Sequence, residues 1–282
     1  MEDFGMSHWF SFKNACVYLS ENLSQSALAG HASSMLFLHG RFGDGAVWRS
    51  LVGRLSRTYR CYCIDLPGFR HSFLTQDLPF SFLDYIQLIN HLILNLTYRS
   101  EKLILVGHDF GGAVAQVCAL SQALKVSSLI LINSISPTTP LARWNTPFQG
   151  WFIFKKLLNL LKNTKTLEEG DQRLLRSPWE DQFARVSLTS TFRSIHSSWP
   201  KHYERQVWRK AMKELVRPVL LLWGKNDSLN PREVAVDLLN QLPDATSFTH
   251  EGCGHWPQLE RSDWVFEKMS EFMVRNRLKE SA

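Results

Sequence analysis

Asp109, Asp227 and His255 are the residues whose types and settings suit nucleophilic hydrolysis. Asp109 sits in Gly107-His108-Asp109-Phe110-Gly111, a polar triplet flanked by glycines. A carboxylate activates water poorly. It can instead attack an electrophilic carbon and form an ester between protein and substrate. Water must then cleave that ester, and this step needs a general base. His255, in Gly254-His255-Trp256-Pro257, is the candidate. Asp227, in Trp223-Gly224-Lys225-Asn226-Asp227, would orient the imidazole and balance its charge. Asn133 could occupy an alternative acid position but carries no charge, so Asp227 is preferred. Asp65 reads as a turn former before Pro67-Gly68, and His108 as a packing and hydrogen-bonding residue.

These residues need a scaffold that holds a charged side chain at a sharp bend. Leu103-Ile104-Leu105-Val106 is a branched apolar run, which predicts a strand buried on both faces. Ala113 to Leu120 predicts a helix. Strand, tight turn and helix around Asp109 make the shape of a nucleophile elbow, with aspartate where that motif carries serine. Gly107 and Gly111 suit it because a Cβ would clash where strand and helix nearly touch. Further buried strands are expected at 34–38, 59–64, 128–132 and 218–223, with one or two antiparallel edge strands within 9–19 and a short strand at 245–248. Residues 22–33 read as a turn or loop. Asp44 is placed to cap a helix over 46–56, and further helices are expected over 80–96, 232–240 and 262–277. Asn230-Pro231 reads as a cap followed by proline at the first helical position. This strand–helix alternation predicts a doubly wound parallel sheet.

The rhythm breaks between 134 and 213. Helical patterns dominate there, including 150–162 and 203–216, and the segment holds five of the ten tryptophans. It carries 14 Lys/Arg against 6 Asp/Glu, so it is the basic part of a chain whose net charge is +6. Its many aromatic residues point to an apolar pocket and a hydrophobic small-molecule substrate. One stretch, Gly150 to Leu158, is aromatic on one side and basic on the other, and reads as a helix packing over the site.

With these motifs in this order, the chain resembles the α/β-hydrolase superfamily, and more narrowly its aspartate-nucleophile branch of epoxide hydrolases and haloalkane or haloacetate dehalogenases. The quoted elbow, His39-Gly40, Asp65-Leu66-Pro67-Gly68-Phe69, Trp223 to Asp227 and Gly254 to Pro257 carry that resemblance over nearly the whole chain. It implies an α/β-hydrolase fold: a mostly parallel eight-stranded sheet flanked by helices, with a core of residues 1–133 and 214–282 and a helical cap inserted at 134–213. It also implies the roles nucleophile, acid and base for Asp109, Asp227 and His255, and an oxyanion hole from the backbone N–H groups of Arg41 and Phe110. Haloacetate dehalogenases carry arginines where this chain has Phe110 and Ala113. Haloalkane dehalogenases hold the halide with a tryptophan where Phe110 stands, although Trp199 could supply one donor. Epoxide hydrolases protonate the opened ring with cap tyrosines, and Tyr203 is the single tyrosine between 134 and 213. His39 and Trp199 join Tyr203 as candidates near the substrate or its leaving group. The resemblance thus implies a hydrolase of epoxide-hydrolase type. The alternatives are a haloalkane dehalogenase-like enzyme, a lactone or ester hydrolase, or a non-catalytic binding or sensor protein on the same fold.

At 282 residues the chain is long enough to bury a sizeable core. A net charge of +6 without a Lys/Arg block argues against nucleic acid. The five cysteines show no zinc spacing and read as free thiols in a cytoplasmic, reducing setting. No signal peptide is expected, and no apolar run is long enough to span a bilayer. No metal and no organic cofactor are expected, since neither a dinucleotide fingerprint nor a phosphate loop is present. A homodimer is compatible with all of this.

Overall fold

The computed structural model describes residues 5–23, 33–76, 78–97, 103–122, 124–139, 155, 157–161, 164 and 166–281. The expected loop at 22–33, the N-terminal half of the expected helix at 150–162, Trp144 and Trp151 lie wholly or mostly outside these residues.

Among the described residues nine strands form one sheet. They are β1 (Met6–Phe12), β2 (Ala15–Asn22), β3 (Ser34–Leu38), β4 (Arg60–Asp65), β5 (Phe73–Leu74), β6 (Leu103–His108), β7 (Val126–Ile132), β8 (Val219–Gly224) and β9 (Ala245–His250). Their order is β1-β2-β4-β3-β6-β7-β8-β9, with the two-residue β5 paired to β2. β4, β3, β6, β7, β8 and β9 run parallel, and β1, β2 and β5 add the antiparallel edge. This is the architecture the resemblance implies, extended by one short strand. β3, β6 and β8 are buried along their whole length, because continuous runs such as Leu103-Ile104-Leu105-Val106 have helices over both faces.

Helices among the described residues include α1 (Arg49–Leu55), α2 (Phe82–Leu96), α3 (Asp109–Ser121), α4 (Glu169–Glu180), α5 (Gln182–Ser197), α6 (His202–Met212), α7 (Arg232–Gln241), α8 (Pro257–Glu260) and α9 (Ser262–Ser281). Asp44 caps as expected, its Oδ1 accepting from the Ala46 N–H at 2.8 Å, but what it caps is a 3-10 turn, Gly45–Trp48, which leads into α1. α2 starts two residues later than expected. Ser81 is its N-cap and forms a reciprocal capping box with Asp84.

The elbow joins β6 to α3. Asp109 has φ 49°, a left-handed conformation that costs a non-glycine residue energy and persists only where packing enforces it. The enforcement is close approach. A Cβ on Gly107 would lie 2.6 Å from the Gly112 Cα, and one on Gly111 would lie 2.4 Å from the Leu38 carbonyl oxygen. Gly111→Ala is therefore expected to cost about 3 kcal/mol, since the obstacle is backbone and cannot rotate away. Urea denaturation checks this; a loss below about 1 kcal/mol would show that the turn has slack.

Described residues of the 134–213 segment pack over the same end of the sheet. The Trp199 and Phe82 rings meet at a tilt with centroids 5.0 Å apart, Trp199 lies 6.3 Å from the Phe110 ring, and Phe42 meets Phe192 at 5.6 Å and Trp179 at 6.2 Å. The five cysteines are free, and four are buried. No helix among the described residues is long and apolar enough to cross a membrane.

Candidate active site

The parallel strands deliver the functional side chains to their carboxyl ends, where open α/β sheets hold ligands. Asp109 follows β6 and is fully buried. Asp227 follows β8, and His255 lies in the loop after β9. His255 Nδ1 meets Asp227 Oδ2 at 2.9 Å. Asp227 is in turn fixed on both oxygens. Its Oδ1 accepts from the backbone N–H groups of Leu229 (2.7 Å) and Asn230 (3.1 Å), and its Oδ2 from Asn133 Nδ2 (2.5 Å). Asn133 therefore supports the acid. Its φ of 41° lets its Oδ1 take the Gly224 N–H while its Nδ2 also reaches the Gly254 carbonyl. The other imidazole nitrogen of His255, Nε2, is buried and has no hydrogen-bond partner among the described residues. A base poised to take a proton from water has this arrangement.

Burial alone would depress the His255 pKa. The Asp227 charge and hydrogen bond outweigh it, with help from Asp109, so the imidazole titrates above its ordinary 6.5. As a base it must be neutral. Turnover limited by ester cleavage is thus expected to rise with pH through an apparent pKa above 6.5, and Asp227→Asn is expected to move that limb to lower pH. A pH–kcat profile of the two proteins checks it; coincident limbs would contradict the assignment.

The Asp109 carboxylate is held by four donors. Oδ2 accepts from the Arg41 backbone N–H (3.0 Å) and Arg41 Nε (2.8 Å). Oδ1 accepts from Arg41 Nη2 (2.6 Å) and Asn230 Nδ2 (2.9 Å). Burial pushes its pKa up, but the Arg41 charge and hydrogen bonds, with His255 and His108, hold the carboxyl well below the usual carboxylate range. That favours the ionised carboxylate at neutral pH.

Two of these donors go beyond the sequence reading. Arg41 was expected to contribute only its backbone N–H. In the structure that group donates to Asp109 Oδ2, and the guanidinium adds a two-pronged ion pair to the same carboxylate. Asn230 was expected to cap α7. The N-cap is Pro231, and the Asn230 side chain turns inward, bridging Asp109 and the Asn133 carbonyl. The other expected oxyanion donor, the Phe110 N–H, sits in the first turn of α3, where an amide has no partner within its own helix. The Phe110 ring is buried against Tyr85 (5.2 Å) and Phe82 (6.0 Å).

Two leaving-group candidates are placed elsewhere. Tyr203 is 64% exposed, and its hydroxyl donates to Glu204. It cannot protonate a leaving group at the fully buried Asp109 from that face of α6. Tyr203→Phe is expected to change turnover less than twofold, and a tenfold loss in steady-state rate would contradict that placement. His39 is buried with both ring nitrogens engaged. Nε2 accepts from the Leu66 N–H at 2.9 Å, which leaves Nδ1 to donate to the Gly40 carbonyl at 2.8 Å. It braces the loop that carries Arg41 and has no proton to offer a substrate. Trp199 is buried over Phe110. His108 donates from Nε2 to the His255 carbonyl at 2.8 Å, and burial, then the neighbouring His255, lower its pKa to about 3. It stays neutral and fixes the base loop. Asp65 acts as the turn former expected, accepting from the Gly45 N–H and from His71. Among the described residues no group of three or more His, Cys, Asp or Glu is arranged to hold a metal ion.

An elbow at the carboxyl edge of a parallel sheet, with an acid–histidine pair arriving from the last two strands, defines an α/β hydrolase. The chain belongs to the alpha/beta hydrolase family, whose family model matches residues 35–268. Among its relatives, a pimeloyl-[acyl-carrier protein] methyl ester esterase from Vibrio vulnificus is 29% identical over 239 residues, covering 81% of this chain and 89% of that protein. Epoxide hydrolase 1 of Caenorhabditis elegans is 29% identical over 264 residues, covering 85% of this chain and 64% of that protein. Of solved structures, 2-hydroxy-6-oxo-6-phenylhexa-2,4-dienoate hydrolase from Rhodococcus superposes with a TM-score of 0.76 at 20% identity, over 95% of this chain and 98% of that one.

Proposed function

We propose that this chain is a covalent hydrolase in which Asp109 is the nucleophile and His255, oriented by Asp227, is the base that frees it. The supporting observation is the pairing of an ionised carboxylate at the elbow's apex with a histidine whose Nε2 has no hydrogen-bond partner among the described residues. One Asp109 oxygen attacks an electrophilic carbon. The bond from that carbon to its leaving atom breaks, and the leaving atom takes the electron pair. In an epoxide this is the ring oxygen, which then takes a proton. Water, deprotonated by His255, adds to the ester carbonyl, the acyl–oxygen bond breaks, and the product leaves as an alcohol. Asp109 is returned carrying one oxygen from water.

The similarity to an epoxide hydrolase supports an epoxide as the electrophile. With Tyr203 directed to solvent, the acid for ring opening is not the tyrosine that family resemblance implies. The aromatic residues of 134–213 that cover Phe110 and Phe42 support a hydrophobic substrate and a lid role for that segment. The test is intact-mass spectrometry of His255→Ala after exposure to a panel of epoxides, haloalkanes and esters. A mass gain on the peptide containing Asp109 is expected with at least one epoxide or haloalkane. Turnover by the native protein with no adduct in the variant would overturn the reading.

A further inference from the structure

The loop that carries His255 is held from two sides. Its carbonyl groups go to the core. The Cys253 carbonyl accepts from the Asn226 N–H at 2.9 Å, the Gly254 carbonyl from Asn133 Nδ2 at 2.9 Å, and the His255 carbonyl from His108 Nε2 at 2.8 Å. Two of its amides go to one side chain. Glu260 Oε2 accepts from the Gly254 N–H at 2.8 Å, and Glu260 Oε1 from the Trp256 N–H at 2.9 Å. One carboxylate thus grips the residue before the base and the residue after it.

The grip bears on the ring. His255 Nδ1 meets Asp227 Oδ2 at 2.9 Å, and a hydrogen bond weakens steeply as its angle closes. The backbone on either side of His255 sets the direction from which the ring reaches Asp227. Gly254 has no Cβ to limit its own dihedrals, so the path of the chain into His255 must be fixed from outside. The fit is close: a Cβ on Gly254 would lie 3.1 Å from Glu260 Oε1.

Glu260 is itself buried, and a buried carboxylate depends on its donors. Besides the Gly254 amide, Oε2 accepts from the Thr166 hydroxyl at 2.5 Å. The neighbouring Arg261 sends its Nη1 to the Glu260 main-chain carbonyl at 2.9 Å. The Cys253 thiol also faces the carboxylate; burial, then Glu260, push its pKa up, which keeps it neutral. Thr166 stands 94 positions before Glu260, in the segment inserted between β7 and β8. Of the groups just named, it is the one that segment contributes.

We propose that Glu260 is a positioning residue for His255 and that it couples the inserted segment to the base, because the carboxylate that holds the two amides flanking His255 also takes the Thr166 hydroxyl. This role rests on the reading of His255 as the base and does not need Asp109 to form an ester.

The test follows the His255 ring by NMR titration of the full chain, its signal assigned by its loss in His255→Ala. The charged and titratable groups that face the ring, Asp227, Asp109, Arg41 and His108, are the same in every other variant. Glu260→Asp keeps the charge but is one methylene too short to span both amides. It should lower the midpoint of the ring's titration by about half a pH unit or more, because the Asp227 charge that raises it is then less well met. Thr166→Val leaves the carboxylate in place and removes one donor, so a smaller fall in the same direction is expected. Thr166→Ser, which keeps the hydroxyl, should titrate as the native protein does. The double variant Glu260→Asp/Thr166→Val should match Glu260→Asp alone, since the shortened side chain no longer meets Thr166. A merely structural role would lower the urea midpoint and leave the ring's titration where it was. An unmoved titration in either Glu260→Asp or Thr166→Val, a fall in Thr166→Ser equal to that in Thr166→Val, or falls that add in the double variant each overturns the proposal. Should Glu260→Asp not fold, Thr166→Val and Thr166→Ser decide it alone. If adduct trapping in His255→Ala fails while these titrations behave as expected, the covalent reading falls and the positioning role stands.

Discussion

Arg41→Met is expected to destabilise the protein by about 3–5 kcal/mol at neutral pH, the cost of leaving a buried charge without its partner. Asp109 is fully buried, and three of its four hydrogen bonds come from Arg41. The Nε and Nη2 bonds are lost in the variant, while the backbone bond remains. The double variant Arg41→Met/Asp109→Asn is expected to recover most of the loss, because no charge is then stranded. The pH dependence has a definite sign. In the native protein the Asp109 pKa is depressed, so its stabilising contribution is complete above the unfolded value of about 4 and disappears only as pH falls through the lower folded value. In Arg41→Met the guanidinium is gone, and burial, opposed by His255 and His108, moves that pKa up from its native value. The variant then regains stability as pH falls, and the gap to the native protein narrows between pH 8 and pH 5. Urea unfolding at both pH values measures it. A gap below about 1 kcal/mol at pH 8 would mean that Arg41 and Asp109 are not coupled in the folded protein.

His255→Ala is expected to lower kcat by about 10³-fold or more while the first chemical step continues. His255 is buried, its Nδ1 is tied to Asp227, and its Nε2 has no hydrogen-bond partner among the described residues. Under the proposed mechanism it works on water, not on the attack by Asp109. Rapid mixing should therefore show a single burst of substrate consumption, close to one per protein, followed by near-silence. If the burst itself slowed as much as kcat, the histidine would be acting in the first step, and Asp109 would be a support for that chemistry rather than the nucleophile.

The frame was readable because it depends on patterns that local sequence carries. Leu103 to Val106 could only be a doubly buried strand, and Gly107 and Gly111 announced the close approach that places Asp109 at φ 49°. Asp227 and His255 were legible for the same reason, since each sits just beyond a strand and beside a turn residue. What was not legible is side-chain direction. Arg41 follows His39-Gly40, and nothing in its spacing says that its guanidinium folds onto a residue 68 positions away. A signal was present: a carboxylate buried at an elbow needs a buried cation, and a basic residue wedged between Gly40 and Phe42 is one. Asn230 was hidden by a stronger local pattern, because Asn-Pro before a helix looks like a cap. Tyr203 failed on helical phase. Trp208 and Met212 are the buried residues of α6, and Tyr203 lies roughly 140° and 180° around the helix from them, which turns it to solvent.

The central claim is that Asp109 bonds to carbon and is released by water. A single turnover in heavy-oxygen water, with native protein in excess over an epoxide or haloalkane that it turns over, tests this most directly. Peptide mass spectrometry should then find one heavy oxygen in the Asp109 carboxylate and none in the first product formed. Heavy oxygen in the product with an unlabelled Asp109 would contradict the account, since water would then have attacked the substrate itself.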